Sequence, residues 1–290
     1  MKKSQQSDVH KECEYADVGE ISVVWKGCLC QENSTNILET HTNQYELIKT
    51  RLIDEIGLDL YHIHPCEVIN IAMLWLADDM VASSVAYDDH RVVNRFALAV
   101  CFLSWYDPKE PWNNMEGWMT NEHECTWFGV GCNEQDDVIS ISLQNNKLSG
   151  SIPKEMTLLN QLAKIDTPVN TITGTLPTEL GRLKYLVTLD VHKNEIGGSI
   201  PVEIGSCPML KKLQLRRNAL VTTIPNEIWK LTNLEILDLS NNQAVKGTLQ
   251  SEIGSCTSLK CIYIYSSRPN LWYYPERNRT TIKFANVGFF

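Results

Sequence analysis

No stretch of this 290-residue chain reaches the roughly 18 consecutive apolar residues of a membrane-crossing helix, and 96–103 is among its longest apolar runs. The opening residues, Met1-Lys2-Lys3-Ser4-Gln5-Gln6-Ser7-Asp8, contain no apolar core and do not read as a secretory signal. Equally missing are the phosphate-cradling G-x-x-x-x-G-K-[ST], G-x-G-x-x-G, H-E-x-x-H, G-x-S-x-G and the protein-kinase signatures. Asp-His pairs such as Asp89-His90 and Asp190/His192 have no nucleophile at a supporting spacing, so neither an enzyme nor a cofactor is expected. The lysines are scattered and form no basic run, which argues against a nucleic-acid partner. His62, His64 and Cys66 offer metal donors close together, but a structural zinc site takes four, in separated pairs. Cys28 and Cys30 could complete such a set in principle, yet ordinary residues at a helix start account for the cluster, and no metal is expected.

The charge that is present is unevenly spread. Residues 1–137 hold 24 acidic and 9 basic residues, a net of −15, whereas 138–290 hold 11 and 17, a net of +6. The change of sign argues for two units of different character. A mildly basic second half would suit anionic partners, although an incidental surface balance is the favoured account of it.

The second half is ruled by a repeat. Asn146, Asn170, Asn194, Asn218 and Asn242 stand 24 residues apart without slippage. Counting back from each, positions −8, −5 and −3 are apolar, as in Leu186, Leu189, Val191 and Leu210, Leu213, Leu215. Positions −5 and −3 alternate as one buried face of a short strand should. Parallel pairing of such strands, about 4.8 Å apart, would stack their inward side chains into one long core. Each Asn amide would bond backbone groups that the turn leaves unpaired, with terminal Asn146 expected to matter less. Four residues on, Gly150, Gly174 and Gly198 permit backbone geometry that a side chain would strain, and Pro153, Pro177, Pro201 and Pro225 follow in the words ending I-P or L-P.

The pattern L-x-x-L-x-L-x-x-N-x-L resembles the leucine-rich repeat, and L-x-G-x-I-P its plant-type class, found in receptor-kinase ectodomains, receptor-like proteins and polygalacturonase-inhibitor-type proteins. The resemblance implies an α/β solenoid with a curved parallel sheet of about six strands, a 3-10 or extended convex side, and ligand binding on the concave face. Strands are expected near 138–143, 162–167, 186–191, 210–215, 234–239 and 259–264. Pro168 weakens the second rung. One residue is inserted after Asn242, which moves the sixth ladder position to Ser267, where Asn is lost. Cys207 and Cys256, two repeats apart, read as small buried hydrophobes.

Ahead of the repeats, Trp112, Trp118, Cys125, Trp127, Phe128, Gly129, Val130 and Cys132 resemble the plant-type amino-terminal cap, C-x-W-x-G-V-x-C, which implies a Cys125–Cys132 disulfide. A solenoid's first repeat exposes one side of its core, so something must cover it. A disulfide favours an extracellular or cell-surface location, which conflicts with the lack of a signal. A small helical region is expected over 42–106. Its first helix would be capped by Asn43 with Glu46 and ended by Gly57, the second would begin near Pro65, and the third would follow Asp88-Asp89. Asn94-Arg95-Phe96-Ala97-Leu98-Ala99-Val100 before a Trp-rich linker looks like the segment preceding the repeats in diatom leucine-rich repeat proteins. The division is therefore 1–41 disordered, 42–106 helical, 107–137 cap, 138–267 repeats and 268–290 an irregular tail. Asn33 and Asn278 open glycosylation sequons.

Positions −4 and −2 face the concave side, presenting Ser142 and Gln144, Asp166 and Pro168, Asp190 and His192, Gln214 and Arg216, Asp238 and Ser240, then Tyr263 and Tyr265. Of these, Asp166, Asp190, His192, Gln214, Arg216, Asp238, Tyr263 and Tyr265 form the candidate ligand-binding set. The expected function is recognition of a protein or peptide in a receptor-like system. An intracellular scaffold and an inhibitor of a secreted glycan hydrolase are the alternatives.

Overall fold

The computed structural model describes residues 39–54, 67–83, 90–246 and 254–264. Tyr265, Ser267, the His62-Cys66 cluster, Gly57, both sequons and the tail lie outside them. The chain forms two compact units, Met1–Tyr87 and Asp88–Phe290.

In the first unit, α1 (Glu39–Asp54) packs on α2 (Val68–Ser83). Ile48 and Leu52 of α1 are buried, as is the whole run Ile71–Ala77 of α2, and the Tyr45 hydroxyl donates to Asn70 Oδ1 at 2.6 Å. The helix starts ahead of Asn43, which lies exposed inside it and caps nothing. Helix α3 (Arg91–Trp105) belongs to the second unit with the repeats, so the helical region expected over 42–106 divides after Tyr87.

Within the second unit the 24-residue period becomes one coil per repeat. The strands are β1 (Val130–Cys132), β2 (Val138–Ser142), β3 (Lys164–Asp166), β4 (Thr188–Asp190), β5 (Lys212–Gln214), β6 (Val221–Thr223), β7 (Ile236–Asp238), β8 (Ala244–Lys246) and β9 (Cys261–Tyr263). The main sheet runs β1-β2-β3-β4-β5-β7-β9 and is parallel except for β1, which pairs antiparallel to β2. Leu189 and Leu213, stacked in register, are fully buried, as the alternation requires. Register advances by 24 residues until Ile236 pairs with Cys261, a step of 25 that absorbs the residue inserted after Asn242.

Single 3-10 turns form the opposite side, at Lys154–Leu158, Thr178–Arg182, Val202–Ser206 and Asn226–Lys230. Each begins after a proline in extended geometry, as a fixed φ and a missing donor favour. Gly150, Gly174 and Gly198 take φ of +69°, +74° and +70°, which a side chain would strain. Where the fourth repeat lacks that glycine, β-branched Val221, Thr222 and Thr223 form β6 and pair with β8 in a second, two-stranded sheet that the repeat pattern did not foretell.

The asparagines tie neighbouring coils together. Asn194 Nδ2 donates to Thr167 O of the previous repeat and Val191 O of its own, while its Oδ1 accepts from Ile172 N. Asn218 and Asn242 repeat this arrangement one and two coils on. Asn170 bonds Leu143 O, Asn146 N and Leu148 N in the same way. Asn146 is no loose end, for it exchanges two bonds with the backbone of Asn114, at 2.7 and 2.8 Å, and is 2% exposed. Replacing Asn194 or Asn218 by Ala is therefore expected to cost about 1–3 kcal/mol each, because each leaves buried backbone groups unpaired, and Asn146, whose partner Asn114 is half-buried, falls at the lower end of that range. Denaturant melts measure this, and negligible losses at all three would contradict it.

Pro168 does not break the ladder. Backbone N–H groups at that position, in His192 and Ser240, donate to the carboxylates of Asp190 and Asp238 within their own repeats, so proline forfeits no bond between strands. The irregularity of that repeat lies one residue earlier, where the Thr167 hydroxyl is buried without a partner among the described residues.

Candidate binding face of the solenoid

Register fixes the concave surface in columns. Ser142, Asp166, Asp190, Gln214, Asp238 and Tyr263 pair in sequence across the sheet and form the central one. Its carboxylates are held in place. Lys164 Nζ lies 2.7 Å from Asp166 Oδ2, and His192 Nδ1 lies 2.6 Å from Asp190 Oδ1. The Ser240 hydroxyl donates to Asp238 Oδ1 at 2.6 Å, and Arg216 Nε stands 3.9 Å from Asp238 Oδ2.

Of the eight candidate ligand-binding residues, seven sit on this face and Tyr265 lies outside the described residues. The neighbouring column is thinner than alternation suggested, because Pro168 is buried and Ser240 is only 1% exposed. Gln144, His192 and Arg216 remain in it. Two further columns escaped the sequence reading. Ser140, Lys164, Thr188, Lys212, Ile236 and Cys261 line the near side, and extending the alternation by two residues would have found them. Asn145, Val169, Lys193, Arg217 and Asn241, each just before the ladder asparagine, take left-handed φ of +51° to +60°, and all but the half-buried Asn241 are exposed. Asn145 and Asn241 are of the type that tolerates that geometry best, but nothing in the residue types of Lys193, Arg217 or the β-branched Val169 signals it.

Cys125 and Cys132 are joined, their Cα atoms 5.6 Å apart. His123, Cys125 and Asp136 lie close together, but the disulfide leaves Cys125 no thiolate to offer a metal. Cys207 and Cys256 are free and buried, and burial pushes both thiols up to about 11. At neutral pH they remain protonated and inert. No helix among the described residues is long and apolar enough to cross a membrane.

Residues 184–243 match the family described as Leucine rich repeat, and 233–256 match a second description of it. The solenoid is a leucine-rich repeat fold. Among solved structures, the BIR2 ectodomain of Arabidopsis thaliana aligns with a TM-score of 0.51 at 28% identity, over 60% of this chain and 94% of that one. The Arabidopsis receptor kinase HAESA, solved with the peptide hormone IDA and the co-receptor SERK1, aligns at 0.53 and 29% identity, over 60% of this chain and 29% of that one. A probable LRR receptor-like serine/threonine-protein kinase from the same plant is 31% identical over 101 residues, or 34% of this chain. The leucine-rich repeat chain spans only 12% of that relative's length. Its likeness is thus to plant-type leucine-rich repeat proteins, through their repeats.

Proposed function

We propose that this solenoid is a receptor-like recognition module of the plant L-x-G-x-I-P class, without catalytic activity, whose concave face takes a protein or peptide. Residues 107–137 serve as its amino-terminal cap and 138–267 as its repeats. The observation that carries the reading is the register itself, which holds Asp190, His192, Gln214, Arg216, Asp238 and Tyr263 on one sheet surface at fixed spacings. Side chains pre-ordered by ion pairs and stacked strands lose little freedom on binding, which favours affinity. HAESA, with the same repeat architecture, was solved with a peptide hormone, which supports a peptide-sized ligand here.

An alanine scan against a bound protein or peptide tests it. Replacing Arg216 or Tyr263 is expected to weaken binding by more than about 1 kcal/mol, roughly fivefold or more. Lys154 and Glu179, in the 3-10 turns of the opposite side, are expected to be neutral. Losses confined to those turns would overturn the assignment.

A further inference from the structure

The concave face carries three aspartates, and each of them has a bonded neighbour. Asp166, Asp190 and Asp238 are engaged by Lys164, His192 and Ser240. Glu235, on the approach to β7, is bonded by Lys260 Nζ at 2.7 Å, which holds its carboxyl below the usual range. Glu195, beyond Asn194 and around the corner, is the exposed carboxylate nearest in sequence to these rungs.

The cations are in a different state. Lys211, Lys212, Arg216 and Arg217 fall within seven residues around β5. Alternation puts Lys212 and Arg216 on the concave face with the uncharged Gln214 between them. The left-handed φ of +53° turns Arg217 onto the same edge as Lys193 of the preceding repeat, at φ +55°. Lys193, Lys211, Lys212 and Arg217 are exposed and form no ion pair with a described residue, although the Glu235 carboxylate feels the charges of Lys211 and Lys212, and Arg216 has only the 3.9 Å approach to Asp238. Counting Lys193, Lys211, Lys212, Arg216 and Arg217 against Asp190, Glu195 and Asp238, with Glu235 offset by Lys260, these rungs carry a net charge of +2, and complementary charge favours encounter and register.

We propose that the row around β5 binds an acidic partner segment, an extended peptide or protein loop whose aspartates or glutamates meet Lys212 and Arg216 across the strand and Lys193 and Arg217 along its edge. Lys212 and Arg216 are four residues apart, or about 13 Å on a strand, so carboxylates four residues apart in an extended segment match them. The proposal rests on the concave face being the recognition surface and adds the chemistry of what it recognises.

The test pans a random peptide library on the whole chain and on the double variant Lys212→Gln/Arg216→Gln at physiological ionic strength, where loose surface attraction is screened. Circular dichroism first checks that the variant keeps its fold. Peptides recovered on the unaltered chain are expected to be enriched in Asp and Glu. The variant is expected to bind the best of them about tenfold more weakly, or ~1.4 kcal/mol. A pool with no acidic excess whose binding still depends on Tyr263 would overturn this proposal and leave the concave-face reading standing. Acidic enrichment that survives in the double variant would also overturn it. Recovery of no peptide at all, or of peptides indifferent to every concave residue, would remove both.

Discussion

Replacing Arg95 by Met is expected to lower the unfolding free energy by about 3 kcal/mol, the low end of the range for breaking a buried ion pair, because Arg91 still bonds Glu124 while Thr120 O and Glu122 O lose their donor. Arg95 and Glu124 are both fully buried, with Arg95 Nη1 3.0 Å from Glu124 Oε2. Arg95 also donates to Glu122 O and Thr120 O at 2.8 and 2.7 Å, and its guanidinium carbon lies 5.1 Å from the centre of the Trp127 ring. One side chain of α3 thereby fixes the loop over 120–124. The double change Arg95→Met/Glu124→Leu is expected to recover part of the loss, because no fully buried charge remains and Arg91, 19% exposed, can turn its guanidinium to water. A double variant no more stable than Arg95→Met would contradict this account.

The same pair gives a pH dependence. Burial by itself pushes the Glu124 carboxyl up, but the bond from Arg91, its own backbone N–H and the charges of Arg91 and Arg95 outweigh it and hold the group below its ordinary value of 4.5. A carboxyl lower in the folded than in the unfolded chain contributes stability above the ordinary value and loses it as pH falls through the folded one. The melting temperature is therefore expected to drop on acidification below about pH 4.5, and Glu124→Gln is expected to flatten that slope.

Trp118→Ala is expected to cost a similar amount, about 3–5 kcal/mol, the range for deleting a fully buried large aromatic. Its ring is the hub of the aromatic cluster ahead of β1, with centroids 5.2 Å from Trp112, 5.4 Å from Trp127 and 6.1 Å from Phe102 of α3. Its indole N–H donates to Phe128 O at 2.8 Å, so truncation also orphans a carbonyl. Phe128, by contrast, is 38% exposed, and Phe128→Ala is the matched control with a small loss. Chemical denaturation of the two variants separates the cases, and equal losses would contradict the hub role.

Recognition of the repeat needed no coordinates, because a coil that stacks on copies of itself must meet the same steric demand at the same step. Hence the ladder asparagines, the glycines at positive φ and the prolines before the 3-10 turns could all be placed by counting. The inserted residue after Asn242 was legible for the same reason, and the register step to Cys261 is where it is taken up. Residues without periodicity were harder. That α3 packs with the repeats rests on contacts such as Arg95 with Glu124 and Trp105 with Ser149, made across 29 and 44 residues, which no local pattern encodes.

On the concave face, the sequence by itself placed the central column from Ser142 to Tyr263, since strand alternation is a property of the backbone. Only the tertiary structure decided the character of the face. It buried Pro168 and Ser240, turned Lys193 and Arg217 outward through left-handed corners, and engaged Asp166, Asp190 and Asp238 with neighbours. Charge availability depends on which groups lie within a few ångströms of one another, and that is fixed by the packing of coils rather than by the order of residues within one.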